Sequence, residues 1–325
     1  MGANFPSVAA FWFCPMRLAR STRRRLFLAF AVALLVAFAA AGIAIYVERF
    51  SDPLAARVVD TRACPGCDLA YIRLWWADLR EVDLSDANLE GARLWWADLT
   101  GSNLSHTDLR SASLWWATLD RIDLTGADLT GARIGRAAIV DSTLRGAILK
   151  NADLVGVVLD RSDLRAADLT WADLRQSILQ QTDFRGARMQ DANFYLADLS
   201  GARLDGADMT RASLVQANLS RAVLTGANLT EANLNKAVLK GADLGAARLM
   251  GAQLTGADLT DANLRGADLS RANLWKADLS GADLTDANFT GAAMDETVLA
   301  GARFCRTRLP DRFVRRNEQI HACNN

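Results

Sequence analysis

The sequence predicts an all-β solenoid: about twelve four-sided coils of 20 residues, preceded by a transmembrane helix. Three observations lead there. From Leu69 to Leu309 a large apolar residue stands at every fifth position, and the frame never slips. Tryptophan pairs recur at intervals of 20 residues. Residues 26–47 run for 22 positions without a charge.

The five-residue period carries the fold. It has 49 central positions, of which forty are Leu and the rest Ile134, Ile139, Phe184, Met189, Phe194, Met209, Phe289, Met294 and Phe304. Two residues before each stands Ala at 36 places, and Cys, Ser, Thr, Val or Ile at the others. Neither position is ever charged. A period of five fits neither the 3.6 of a helix nor the 2 of an isolated strand, and its length marks a repeat architecture. In Ala127-Asp128-Leu129-Thr130-Gly131 the Ala and Leu are two apart, so in extended chain they share a side and the residue between them faces away. The last two residues turn the chain, which suits the frequent Gly, Ser, Thr and Asp there.

The number of units per turn comes from Trp75-Trp76, Trp95-Trp96 and Trp115-Trp116. Twenty residues are four units. A four-sided coil stacks these pairs directly, whereas a three-sided coil of 15 residues scatters them.

The run Ala257-Asp258-Leu259-Thr260-Asp261-Ala262-Asn263-Leu264 resembles the pentapeptide-repeat proteins, and the resemblance covers residues 64–309. It implies a right-handed quadrilateral parallel β-helix with Leu and Ala inside and no interior room for a pore or ligand. At a strand spacing of ~4.8 Å per coil the rod is roughly 58 Å long. Each coil touches only its neighbours, so stability accumulates along the axis.

The apolar run at residues 26–47 is long enough to span a bilayer as a helix. Arg17, Arg20, Arg23, Arg24 and Arg25 precede it without an acid, while acids and bases balance after it. The positive-inside rule then keeps a basic segment, residues 1–25, in the cytoplasm and places the rod outside. The chain reads as a single-pass protein of a bacterial inner membrane. The alternative is a signal peptide cleaved near Gly42 and a rod secreted to the periplasm, but the apolar stretch exceeds the usual 7–15 residues. Met16 offers a second start, which would remove residues 1–15.

Both ends of such a coil need covers. Residues 48–63 form a linker and cap, where Asp52-Pro53 suits a helix start and Leu54, Val58 and Val59 give it an apolar side. Residues 310–325 form the exit cap, with Phe313, Val314 and Ile320. Cysteines sit at the same ends. In an exported domain, Cys64 with Cys67 and Cys305 with Cys323 read as two local disulfides. A thioredoxin-like redox site at Cys64-Pro65-Gly66-Cys67 is the sharper alternative, but the motif lacks its βαβ setting. His106 and His321 complete no metal-ligand set, and no cofactor is expected.

The six paired Trp fall on one corner of three adjacent coils. Tyr195 and Trp275 share the phase of Trp75. Two readings stand side by side: a self-stacking brace, and a docking face for a partner or the membrane surface.

Composition narrows function. The chain has no net formal charge. Residues 64–309 carry 26 Lys and Arg against 32 Asp and Glu, a net of −6. That mixed surface is not the one-sign field of a nucleic-acid binder or mimic. There is no paired His and carboxylate, no phosphate-cradling loop and no metal cluster. The expected function is therefore non-enzymatic: a membrane-anchored scaffold whose sides bind an unknown protein or envelope partner. The resemblance also implies an alternative, a DNA mimic that binds gyrase and protects it from quinolones, which requires a cytoplasmic rod.

Overall fold

The structure, a computed structural model, describes residues 53–310. The chain winds so that each residue before a central Leu pairs in parallel with the residue 20 positions on, from Ala63↔Asp83 to Asn288↔Arg308. Four units close one turn, so the double-Trp spacing gave the right cross-section. This is a right-handed quadrilateral β-helix. It contains less strand than "all-β" suggests: each side contributes a single bridged residue. The reason is the short period, in which corners consume two residues of every five. The transmembrane helix expected at 26–47 lies outside the described residues. Among the described residues no helix is long and apolar enough to cross a membrane.

Every N–H of the unit Ala87-Asn88-Leu89-Glu90-Gly91 has an assigned partner. Ala87 N–H donates across the corner to the Leu84 carbonyl at 3.1 Å. Asn88 N–H donates back to the Cys67 carbonyl of the preceding coil at 2.8 Å. Leu89 and Gly91 N–H donate forward, to the carbonyls of Asp108 at 2.7 Å and Arg110 at 2.8 Å. The remaining donor, Glu90 N–H, reaches Asn88 Oδ1 at 3.1 Å. The Asp or Asn before a central Leu is thus not merely a solvated face, as its outward position implied. It is a half-buried acceptor that completes the corner. Where Ala138, Ile178 or Gln253 replaces it, the preceding coil substitutes: Asp120, Asp160 and Asn235 accept from the N–H of Val140, Gln180 and Thr255 at 2.9–3.0 Å.

The second corner residue always has positive φ, from 51° at Arg306 to 72° at Gly281 and Gly291. With a Leu-to-Ala bond across four residues, that is the mark of a type II turn. Bulky residues bear the strain at Trp76, Arg121 and Gln216, but no Val, Ile or Thr occupies any such site. The first corner position holds Thr and Val freely, Val215 among them. Gln216→Val is therefore expected to cost about 1 kcal/mol more than Gln216→Ala in a denaturant melt.

The interior is filled. Central residues such as Leu169, Phe184 and Phe194 have no solvent exposure, and the Ala column beside them is equally buried. Where a hydroxyl replaces Ala it remains satisfied. Thr107 and Thr182 Oγ1 donate to the carbonyls of Leu84 and Leu159 at 3.0 and 2.9 Å.

Helix α1 (Pro53–Thr61) covers the first coil. Ala55 and Val58 are buried and Val59 is partly so, whereas Leu54 points outward at 43% exposure, against expectation. Ala55 and Val58, three apart, share the covered side; Leu54 stands four before Val58, so the helical period alone does not account for its exposure. Arg62 leaves the helix at φ 55°. Its Nη1 donates to the carbonyls of both Asp78 and Arg80 at 3.0 Å, the two acceptors that later coils offer to a preceding coil. At the other end Leu299, Phe304 and Leu309 are only partly buried. The expected exit cap beyond residue 310, with Phe313, Val314 and Ile320, lies outside the described residues.

Arginines line the outward carboxylates. Hydrogen bonds from Arg80 and then Arg62 hold the Asp78 carboxyl far below the usual range. Arg110 lowers Asp108 and Arg211 lowers Asp191 in the same way. A carboxyl depressed on folding adds stability above its unfolded value and loses it as pH falls through the folded one. The melting temperature is expected to stay level from about pH 7 to 5 and to fall below about pH 4, read by circular dichroism.

Candidate binding surface

The corner pattern places both residues after a central Leu on the outside, and a 20-residue spacing stacks them. Trp75 lies on Trp95 with ring centroids 5.6 Å apart and planes within 11°. Trp76 lies on Trp96 at 4.8 Å and 8°. The third pair behaves differently. Trp115 packs over Gly135, where a Cβ would stand 3.5 Å from its Nε1. Arg136 sits 5.2 Å from the Trp116 ring centroid.

The corner is more than exposed indole. Trp95 Nε1 donates to Ser113 Oγ, which draws its ring across the side that precedes the corner. That side carries Arg73, Arg93, Ser113 and Arg133 in one bridged column. Trp75 is half-buried, and its Nε1 is buried without a hydrogen-bond partner, which costs ~1–3 kcal/mol. Trp76, at 55% exposure, is the most open of the six.

The eight aromatic positions do not form one continuous face. Tyr195 stands four coils beyond Trp115, and Trp275 four beyond Tyr195, each gap about 19 Å at the strand spacing. Gly135, Val155 and Arg175 fill the first gap. Trp275 is engaged locally, with Lys276 Nζ 4.3 Å from its ring centroid and its Nε1 on Glu296 at 3.3 Å. Phase alone put them on the right corner; contiguity needs aromatics in every coil.

Two exposed aromatics escaped the sequence reading. Tyr71 and Trp171 lie on the neighbouring corner. Each is the second corner residue of its unit, so position was a signal, though both are out of phase with the Trp pairs. A short apolar column, Ala138, Val158 and Ile178, also replaces outward acids on the side that follows the Trp corner.

Cys64 and Cys67 form a disulfide with Cα atoms 5.4 Å apart. Cys64, not only Cys67, points inward, so the coil begins one unit before Leu69. Cys305 is disulfide-bonded, and its expected partner Cys323 lies outside the described residues. Among the described residues no group of three or more His, Cys, Asp and Glu is placed to hold a metal ion. His106 rests against Gly126; His321 lies outside the described residues. An open notch of about 590 Å³ follows another corner, lined by Gln181, Gly201, Arg221, Lys240, Gly241 and Asp261 among others.

The chain matches the family described as Pentapeptide repeats in eight copies, spread over residues 67–311. Among solved structures it is similar to HetL, a pentapeptide repeat protein involved in heterocyst differentiation regulation in the cyanobacterium Nostoc. The identity is 32% over 77% of this chain and 94% of HetL, with a TM-score of 0.33. It is also similar to a pentapeptide repeat protein of the Arabidopsis thaliana thylakoid lumen, at 32% identity over 37% of this chain and 77% of that one, TM-score 0.25. QnrB1, a plasmid-mediated fluoroquinolone resistance protein, is 22% identical over 64% of this chain and 90% of its own, TM-score 0.29. No curated protein matches the chain. The repeat profile, matched across residues 67–311, makes this chain a member of the pentapeptide-repeat family.

Proposed function

We propose that this chain is a non-enzymatic scaffold, anchored in a bacterial inner membrane by residues 26–47, with its rod on the extracytoplasmic side. The rod docks a protein or envelope surface through the Trp corner of its first coils. The carrying observation is that corner: six indoles gathered on three adjacent coils, five of them at least 36% exposed, on a rod whose interior is filled. Aromatics concentrated on one surface suit an interface. The second reading, a cytoplasmic DNA mimic that binds gyrase, needs strongly acidic faces. Here Asp108, Asp163, Asp173 and Asp183 each hold an Arg within 2.8 Å, which weighs against it.

Replacing Trp76, Trp96 and Trp116 together by Ser is expected to weaken photo-cross-linking to the partner from intact membranes at least tenfold. The fold should lose no more than about 2 kcal/mol. A variant that loses several kcal/mol yet cross-links normally would reduce the corner to a brace. A topology reporter fused after Asn325 tests the other half: a cytoplasmic signal would revive the gyrase reading.

A further inference from the structure

The side that precedes the Trp corner has an unusual charge. Arg73 and Arg93 are bridged neighbours, with Ser113 and then Arg133 next in the same column. Like charges directly opposite one another across a pair are destabilising. Many outward Arg elsewhere meet carboxylates, such as Arg110 on Asp108 at 2.6 Å, Arg165 on Asp163 at 2.8 Å and Arg175 on Asp173 at 2.7 Å, although Arg121, Arg221, Arg248 and Arg271 also lack one among the described residues. Among the described residues Arg73, Arg93 and Arg133 have no such partner, and Arg136 has only the Trp116 face. The nearest outward acids past the Trp corner, Asp78 and Asp98, already face Arg80. Four cations and six indoles therefore share one strip, and Trp95 bridges the two sets through Ser113.

We propose that this strip binds the surface of an anionic phospholipid bilayer, with indoles at headgroup level and guanidiniums on lipid phosphates. The proposal rests on reading the Trp corner as a docking edge. Three features select lipid. Trp favours the membrane–water interface. Arg forms forked bonds with phosphate and gains ~1 kcal/mol per residue near an anionic leaflet. Only five residues separate the uncharged run ending at Val47 from Pro53. Five residues reach no more than ~20 Å, so a bilayer holding that run stands within reach of the first coils. A scaffold lying along the bilayer through one strip would present its other sides to a partner.

The test reconstitutes the full chain in vesicles of phosphatidylcholine alone, or with about one third phosphatidylglycerol. Hydroxyl-radical footprinting with mass spectrometry then reads each Trp separately. Trp75, Trp76, Trp95, Trp96, Trp115 and Trp116 are expected to be protected in the anionic vesicles and labelled in the neutral ones. Trp275, ten coils from Trp75, should label equally in both. Changing Arg73, Arg93 and Arg133 together to Gln should reduce the protection by about fivefold per arginine, and raise or leave unchanged the melting temperature. Equal labelling in the two vesicles, or full protection of the Gln variant, overturns the proposal. So does stronger protection by oligothymidine in detergent, which would assign the strip to single-stranded nucleic acid. If lipid fails but the Trp peptides are shielded by a cross-linked cellular protein, the docking edge stands and only the lipid assignment falls. If nothing shields them, both fall.

Discussion

Leu169→Asp is expected to destroy the cooperative melt of the rod's middle coils. Leu169 has no solvent exposure, and its neighbours along the axis, Leu149 and Met189, are equally buried. A carboxylate there has no cation to meet and no water to hydrate it, which costs about 4 kcal/mol or more. In a rod where coils support only their neighbours, the damage should open the chain around the substitution and not everywhere at once. Limited proteolysis should therefore cut first near residue 169, and the thermal midpoint should fall by about 10 °C or more. One position earlier the outcome inverts. Asp168 accepts from Thr170 N–H at 3.1 Å and faces Lys150 at 3.2 Å. Asp168→Asn keeps the Oδ1 acceptor and loses only the ion pairs with Lys150 and, at 3.7 Å, Arg188, about 1 kcal/mol or less each. Equal midpoints for the two variants would refute the inside–outside assignment.

Deletions should show the same contrast on a larger scale. Removing residues 206–225, one whole coil, is expected to leave a folded rod one turn shorter. Each remaining bridge keeps its 20-residue register, and only one coil's worth of contacts is lost. Removing Thr225 alone is expected to do far more harm. The corner loses one of its two residues, so Gly226 must turn without its partner or the frame slips and polar residues enter the core. Circular dichroism and size-exclusion chromatography on the two deletion proteins decide this. A single-residue deletion that melts like the parent would mean that corners absorb length changes.

The repeat frame was legible because the interior admits only one pattern. A residue at Leu169 or Phe194 either fills the space between stacked coils or leaves a void, so the apolar phase is forced onto the sequence. The four-sided section was legible through Trp75, Trp95 and Trp115. The role of the outward acids was not. Their position says that they face away, but not that Oδ1 turns back to the corner N–H, a matter of side-chain torsion. The left-handed corner was written in the sequence and passed over: Thr100, Thr125, Thr130 and Thr170 are all first corner residues, and no Thr is ever a second. The Trp surface was half legible. Period fixes the corner, but whether rings stack depends on the next coil: Trp75 meets Trp95 there, whereas Trp115 meets Gly135.

The hydrogen-bond pattern gives the rod an electrical direction. In each unit two N–H groups point toward the following coil and one toward the preceding coil, as Leu89, Gly91 and Asn88 show. Peptide dipoles of ~3.5 D therefore do not cancel as they do between antiparallel strands. One uncancelled forward donor remains per unit, and the units add along the axis. The first coil is left rich in bare carbonyls, a partial negative pole, which is where the Arg62 guanidinium sits on the oxygens of Asp78 and Arg80. The far end is correspondingly donor-rich and attracts anions. Two such rods would therefore attract one another head to tail and resist meeting by like ends, and each added coil would lengthen the dipole without changing its sense.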